Sequence, residues 1–259
     1  MSQYTLPRVG AEELERERLT LLERIHDPLT LRQLDRIGVR EGWHCLDVGA
    51  GAGSVTRMLA DRVGDTGSVV ATDLDPRLLE PLAGPTVRVL QHDLLSDPLP
   101  ESAFDLVHAR LLLMHLPSRV DAIRRLLASV RVGGWLAIVD TDFASVRVEP
   151  VSAAWKRAWS AFLDAAVAAS WDPRYGARLE EDVESLEVEV VEAEQSTHRG
   201  PGGSSQAELL SLTLERLRPR MLAVGAADED IDEGRKLLAD RSTRFTAPTK
   251  VTVSARRPG

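Results

Sequence analysis

Asp47-Val48-Gly49-Ala50-Gly51-Ala52-Gly53 follows the run Trp43-His44-Cys45-Leu46 and precedes Ser54-Val55-Thr56-Arg57-Met58-Leu59-Ala60. This reads as an acidic residue at a strand end, a loop of three alternating glycines, and an amphipathic helix. Such glycines let the backbone turn sharply and approach a ligand closely, because no Cβ intervenes. The first N–H groups of the helix that follows face whatever the loop holds. Asp73, twenty positions after Gly53, closes the next apolar run, Val69-Val70-Ala71-Thr72. A doubly wound fold places there the carboxylate that grips a ribose. The spacing therefore predicts a nucleoside-binding site.

A dinucleotide site of the G-x-G-x-x-G type would need its third glycine where this chain has Ser54. Here the third glycine comes one position earlier. The resulting D-x-G-x-G-x-G resembles motif I of class I S-adenosylmethionine-dependent methyltransferases, of the bacterial small-molecule type. Further segments resemble the family in the same order. They are Val87-Arg88-Val89-Leu90-Gln91-His92-Asp93-Leu94-Leu95, Phe104–Pro117 as a fourth strand and its turn, and Val130–Asp140 as a helix stop and fifth strand. Val132 stands where the family usually has Pro, a departure confined to a turn.

The resemblance implies S-adenosyl-L-methionine as cofactor. It places Asp47, Gly49, Ala50, Gly51 and Ser54 at the loop, and Asp73 and Leu74 at the ribose end. Asp93 would accept from the adenine amino group, while Leu94 offers its backbone N–H to the ring. Tyr4-Thr5-Leu6, followed by Glu15-Arg16-Glu17-Arg18-Leu19, resembles the Tyr-x-Leu … Glu-x-x-Arg-Leu opening that folds over the methionine end in many relatives. That adds Tyr4 and Arg18 to the cofactor set. The same Glu and Arg residues also suit a solvated helix face with charges paired along it. Arg110, near the end of the fourth strand, is expected to pair with a carboxylate of the cofactor or of the acceptor.

Methyl transfer from a sulfonium is an in-line displacement whose leaving group is already activated. Alignment alone contributes ~7–11 kcal/mol, so a dedicated base is optional. The base candidates are His115, His108, Asp140 and Asp142, with His115 or Asp142 expected at the reacting centre and His115 ahead on chemical grounds. Histidine titrates near neutrality and suits a phenol or amine acceptor. Asp140 and Asp142 lie two apart and would share one face of an extended strand. Paired acids can hold a divalent metal, but no Asp-Asn partner pair follows, so no metal is expected. The expected activity is methylation of a small molecule at O, N or C, in specialised metabolism. The alternatives are a non-methylating binding protein or a non-methylating enzyme on the same fold.

The elements that must position these residues are an alternating set. Strands near 44–48, 68–73, 87–91, 104–108 and 135–140 alternate with helical segments, which implies a parallel sheet covered on both faces. Leu14, Leu19, Leu22 and Ile25 give one N-terminal helix. Asp27-Pro28 reads as the cap and first turn of a second, carrying Leu31, Leu34 and Ile37. Asp75-Pro76 starts a short helix by the same logic. Beyond Asp142, Val151, Trp155, Ala158, Trp159 and Phe162 fall at helical spacing, either as ordinary packing or as part of an acceptor pocket.

Leu186–Glu192 alternates with period two, as an antiparallel or edge strand with one wet face, and Gly200–Ser205 reads as a loop. Helices are expected at 205–222 and 228–239, and a last strand at 250–255. The two late strands resemble the end of the methyltransferase sheet. The expected fold is thus α/β, a Rossmann-like doubly wound seven-stranded sheet with an antiparallel last strand and a helical cap. Three segments follow: an N-terminal helical cover at 1–40, a cofactor-binding core at 41–145, and cap helices plus the last two strands at 146–259.

The 259 residues, 43% hydrophobic, allow one elaborated α/β domain. A formal charge of −8 and the lack of basic runs with interleaved aromatics argue against a nucleic-acid partner. Cys45 is the single cysteine and cannot form an internal disulfide. Met1-Ser2-Gln3-Tyr4 lacks a basic region followed by an apolar stretch, so no signal peptide is expected, and no segment approaches the roughly 18 apolar residues of a membrane span. A cytoplasmic protein without membrane partners is expected, its oligomeric state open, with a homodimer as one candidate.

Overall fold

The computed structural model describes residues 11–259, with side chains from Leu14 onward. Tyr4 lies outside the described residues. In chain order the strands are β1 (His44–Val48), β2 (Ser68–Asp73), β3 (Val87–Gln91), β4 (Phe104–Arg110), β5 (Val130–Asp142), β6 (Arg147–Glu149), β7 (Glu189–Ser196), β8 (Arg199–Pro201), β9 (Arg244–Thr246) and β10 (Thr249–Arg256). The α-helices are α1 (Ala11–Ile37), α2 (Ser54–Val63), α3 (Arg119–Ser129), α4 (Ala153–Ala168), α5 (Leu179–Glu184), α6 (Ser205–Ala223) and α7 (Asp228–Ala239).

The described residues form two compact units. A sheet unit holds residues 27–141, 175–195 and 250–259, and a helical unit holds 11–26, 142–174 and 196–249.

In the sheet unit, seven strands lie in the order β3-β2-β1-β4-β5-β10-β7. β1 pairs in parallel with both β2 and β4, and β2–β3 and β4–β5 extend the parallel set outward. The winding therefore reverses at β1, and the crevice beyond the carboxyl ends of β1 and β4 is where such sheets bind ligands. β10 runs antiparallel: the Gly133 N–H donates to Arg257 O, and the Arg257 N–H to Gly134 O. Leu34 and Ile37 of α1 pack with Val55, Leu59 and Val63 of α2 over Cys45, Val69 and Leu106. Cys45 is fully buried, and burial, with Asp105 and Asp47 nearby, pushes its thiol pKa up.

The two expected N-terminal helices are one. α1 runs unbroken through Pro28, and Asp27 caps nothing. An interior proline costs about 3 kcal/mol or more in a helix. Against this, Leu29, Leu34 and Ile37 are all buried, each contributing roughly 1.5–3 kcal/mol. Gln33 also donates to Val253 O and Ser254 Oγ of β10, both at 3.1 Å.

β7 closes the sheet as its edge strand, with alternating exposure. Val188 and Val190 are half-buried and Glu187 and Glu189 exposed, as the sequence pattern has it, but the residue pattern changes beyond Val190. Val191 is exposed, while Glu192 and Glu194 sit half-buried and take Arg36 of α1 between them. The residue pattern slips at Val190-Val191 while the alternation of exposure continues, so the half-buried positions that meet Arg36 are glutamates.

The helical unit is built on α4, α6 and α7. Arg157 clamps Asp230 with two bonds of 2.7 and 2.6 Å, tying α4 to α7. Arg218 of α6 reaches Asp228 and Asp232 of α7 at 2.6 and 2.5 Å. The expected 200–205 loop is corrected in part. Arg199–Pro201 is a strand in a three-stranded sheet of order β6-β9-β8, antiparallel throughout. Among the described residues, no helix is long and apolar enough to cross a membrane.

Candidate active site

The glycine loop leaves β1 at the switch point and enters α2. Gly53 sits at φ +84°, a left-handed conformation that favours glycine, and a Cβ there would also displace the end of the Leu82 side chain, 2.3 Å away. Gly51 has φ +60° and open space where a Cβ would stand. Its N–H donates to Asp73 Oδ2 at 2.9 Å, and the Asp75 N–H donates to Asp73 Oδ1 at 3.0 Å. Burial pushes the Asp73 carboxyl above the usual carboxylate range, partly offset by these backbone donors and reinforced by the Asp75 charge. Asp75 is itself held low by its bonds to Arg77.

Beside this carboxylate, Leu74 and Leu95 are large apolar side chains left 39% and 38% exposed. Asp93 lies between them in sequence. Its N–H donates to Asp97 Oδ2, and its Oδ1 accepts from the Leu95 N–H. Leu94 is buried, its carbonyl accepting from Arg125. Two hydrogen-bonded carboxylates, two exposed leucines and an open glycine thus fall at or just after the ends of β1, β2 and β3.

Asp47 is different. Its carboxylate is buried, Oδ2 accepting from the Thr56 hydroxyl at 2.7 Å and Oδ1 lying 3.0 Å from His108 Nδ1. It braces β1 against α2 and β4. His108 is fully buried in that contact, which removes it as a base open to an acceptor.

Residues 46–138 match the family described as "Methyltransferase domain". A "Methyltransferase str2" of Strobilurus tenacellus is 30% identical over 226 residues, which is 85% of this chain and 80% of that one. The chain belongs to the class I S-adenosylmethionine-dependent methyltransferases. A ubiquinone/menaquinone biosynthesis C-methyltransferase of Ectopseudomonas mendocina is 33% identical over 111 residues, covering 40% of this chain and 43% of its own length. The structure of Haemonchus contortus phosphoethanolamine N-methyltransferase 2 in complex with S-adenosyl-L-methionine shares the fold, with TM-score 0.54, 16% identity, and coverage of 94% of this chain and 53% of that one. The cofactor of this methyltransferase is S-adenosylmethionine.

The remaining expected residues of the methyltransferase are divided between the two units. His115 ends a one-turn helix at Leu113–His115, just beyond β4, and is half-buried. Asp140 holds that turn: its Oδ2 accepts from the Met114 N–H and its Oδ1 from the Thr141 N–H, with no exposed surface. Asp142 belongs to the helical unit, where its carboxylate caps the turn Phe143–Ser145 by accepting from the Ala144 N–H at 2.8 Å. Asp140 is thus tied to the Leu113–His115 turn and Asp142 to the Phe143–Ser145 turn. Among the described residues there is no group of three or more His, Cys, Asp or Glu that could hold a metal ion.

Arg18 is buried in the helical unit and bonds Glu15 through two nitrogens at 2.9 and 2.8 Å. Burial alone would raise the Glu15 carboxyl, but Arg18, aided by Arg216, holds it below the usual range. Arg110 is engaged by Asp27, Thr30 and Ser54.

Three neighbouring residues have no individual role in the motif reading. Leu95 follows the acid–apolar pair, Thr30 is buried beneath Arg110, and Leu112 packs 3.0 Å from where a Gly49 Cβ would be. Leu111 between them adopts φ +54°, a left-handed turn that sends Arg110 and Leu112 to different neighbours. Only the polar character of Arg110 followed by three leucines hints at it.

Proposed function

We propose that this methyltransferase acts on a small-molecule acceptor, with the nucleoside held at Asp73, Asp93 and the Gly49–Gly53 loop. The observation that carries the reading is the Asp73 carboxylate, fixed by the Gly51 and Asp75 amides beside open space at Gly51. Asp73 would accept from the ribose hydroxyls, and Asp93 from the adenine amino group. Leu74 and Leu95 would cover the ring, since exposed leucines gain by meeting an apolar face. Gly51 leaves room for the amino-acid end. S-adenosylmethionine supplies an electrophilic methyl group on a sulfonium, so the chain need not activate the methyl.

The chain's own contribution is alignment, exclusion of water and, where the acceptor requires it, proton removal. His115 is the preferred base, standing on the carboxyl side of β4 on a turn braced by Asp140. Asp142 is the second candidate. An acceptor of small size is supported by the acidic charge of −8 and by the helical unit. There Trp155 and Trp159 line a groove of about 530 Å³ with Val148 and Leu163 and the charged Arg147 and Lys156. That volume and lining suit a small, partly apolar ligand.

The test is metabolite profiling with an isotopically labelled methyl donor, with and without the protein. Label in a small molecule together with S-adenosylhomocysteine supports the reading. Label confined to protein or RNA would overturn it.

A further inference from the structure

Arg110 stands at the end of β4, where a cation could meet the cofactor's carboxylate. Its guanidinium, 9% exposed, is instead committed within the sheet unit. Nη1 donates to Asp27 Oδ1 at 2.8 Å and to Thr30 Oγ1 at 3.2 Å, and Nη2 donates to Ser54 Oγ at 2.6 Å. The Ser54 hydroxyl in turn donates to Asp27 Oδ1 at 2.9 Å. The donor and acceptor roles are compatible: the one hydroxyl proton goes to Asp27, and an oxygen lone pair takes Arg110. Arg110, Asp27 and Ser54 therefore close a ring among β4, α1 and α2.

Ser54 is the first residue of α2 and follows Gly53 directly. The ring fixes where the glycine loop ends and α2 begins, while the Gly51–Asp73 bond fixes its middle. Drawing the guanidinium, 9% exposed, out toward a ligand carboxylate would take it off Asp27 and leave that 24% exposed carboxylate with the Ser54 hydroxyl but no cation from this ring. Abandoning one partner of such a pair is the expensive course. We infer that Arg110 is a positioning residue: through Asp27 and Ser54 it holds the glycine loop in the shape that receives the nucleoside, and it does not bind the cofactor's carboxylate itself. This rests on the assignment of that loop to the cofactor.

The experiment compares two ligands by calorimetry, S-adenosylhomocysteine and 5′-methylthioadenosine, the second lacking the amino-acid carboxylate. The proteins are the unsubstituted chain, Arg110→Ala, Asp27→Ala and the double variant. A positioning role weakens both ligands by the same factor, about tenfold or more, in each single variant, and the double variant is no weaker than the worse single one. General loss of stability lowers the melting temperature without producing that non-additivity in ligand affinity. Loss of S-adenosylhomocysteine alone in Arg110→Ala, with 5′-methylthioadenosine unaffected, would show direct carboxylate binding and overturn the proposal. So would unchanged affinities in Asp27→Ala.

If Arg110→Ala does not fold, Ser54→Ala keeps the ion pair and cuts only the link to α2. It should weaken both ligands, and unchanged binding of both overturns the proposal. Failure of the unsubstituted chain to bind S-adenosylhomocysteine would remove the cofactor assignment first. Binding that is lost in Asp73→Ala but retained in the ring variants would sink this proposal alone.

Discussion

The Gly51 amide and the Asp73 carboxylate meet at 2.9 Å, joining the tip of the glycine loop to the end of β2. The bond orients one carboxylate oxygen and, with the Asp75 amide on the other, fixes the carboxylate proposed to meet the ribose.

Asp73→Ala should weaken S-adenosylmethionine binding by about 10- to 150-fold, as expected for charge-assisted bonds worth ~1.5–3 kcal/mol. Isothermal calorimetry on the folded variant checks it. Unchanged affinity would move the ribose elsewhere.

The pH dependence follows from the raised Asp73 carboxyl. Ribose hydroxyls donate to its ionised form, so affinity should be full at neutral pH and fall as pH drops through a pKa above the usual ~3.9. The approach to limiting slope is about tenfold per pH unit, and Asp73→Asn should flatten the profile. For the unliganded chain the sign reverses. A carboxyl raised on folding holds its proton more tightly in the folded state, so stability falls with rising pH across that window. Asp73→Asn should therefore melt no lower than the parent at neutral pH while binding cofactor worse.

The two glycines should separate fold from binding. Gly53→Ala forces a Cβ to 2.3 Å from Leu82 at φ +84°, and overpacking of this kind costs roughly 1–3 kcal/mol. It should lower the melting temperature. Gly51→Val meets open space, so its main loss should be cofactor affinity, beyond the ~1–2 kcal/mol of left-handed strain. Equal effects on both readouts in both variants would contradict the assignment.

Proton removal is tested with His115→Ala and Asp142→Ala, each measured for turnover and for cofactor binding alone. A general base contributes ~10²–10⁴-fold to turnover and little to cofactor affinity. Losses under tenfold in both variants would leave alignment as the source of the rate.

The glycine loop and the first five strands are readable from sequence, because short apolar or β-branched runs such as Val69–Thr72 and Trp135–Val139 are bounded by Gly or Asp. The small β6-β9-β8 sheet is not, since each strand is three residues long and shows no period. α1 misleads at Pro28, where a local breaker is outweighed by burial of leucines further along the helix. Arg110 is visible as a cation near the site, but its partner Asp27 lies 83 positions away. No local pattern encodes such a pairing, so a cation that looks ready for a ligand proves to be occupied by its own chain.

Cys45 lies in the middle of the sheet unit on β1, fully buried, with its thiol held in the protonated form by burial. As the single sulfhydryl in 259 residues, it gives the protein a chemical clock. A maleimide or an aromatic disulfide reagent meets no reactive thiolate while β1 is in place. Labelling therefore counts molecules whose central strand has come open, one event per chain. Adding S-adenosylhomocysteine should slow that labelling by the factor with which the ligand favours the closed form.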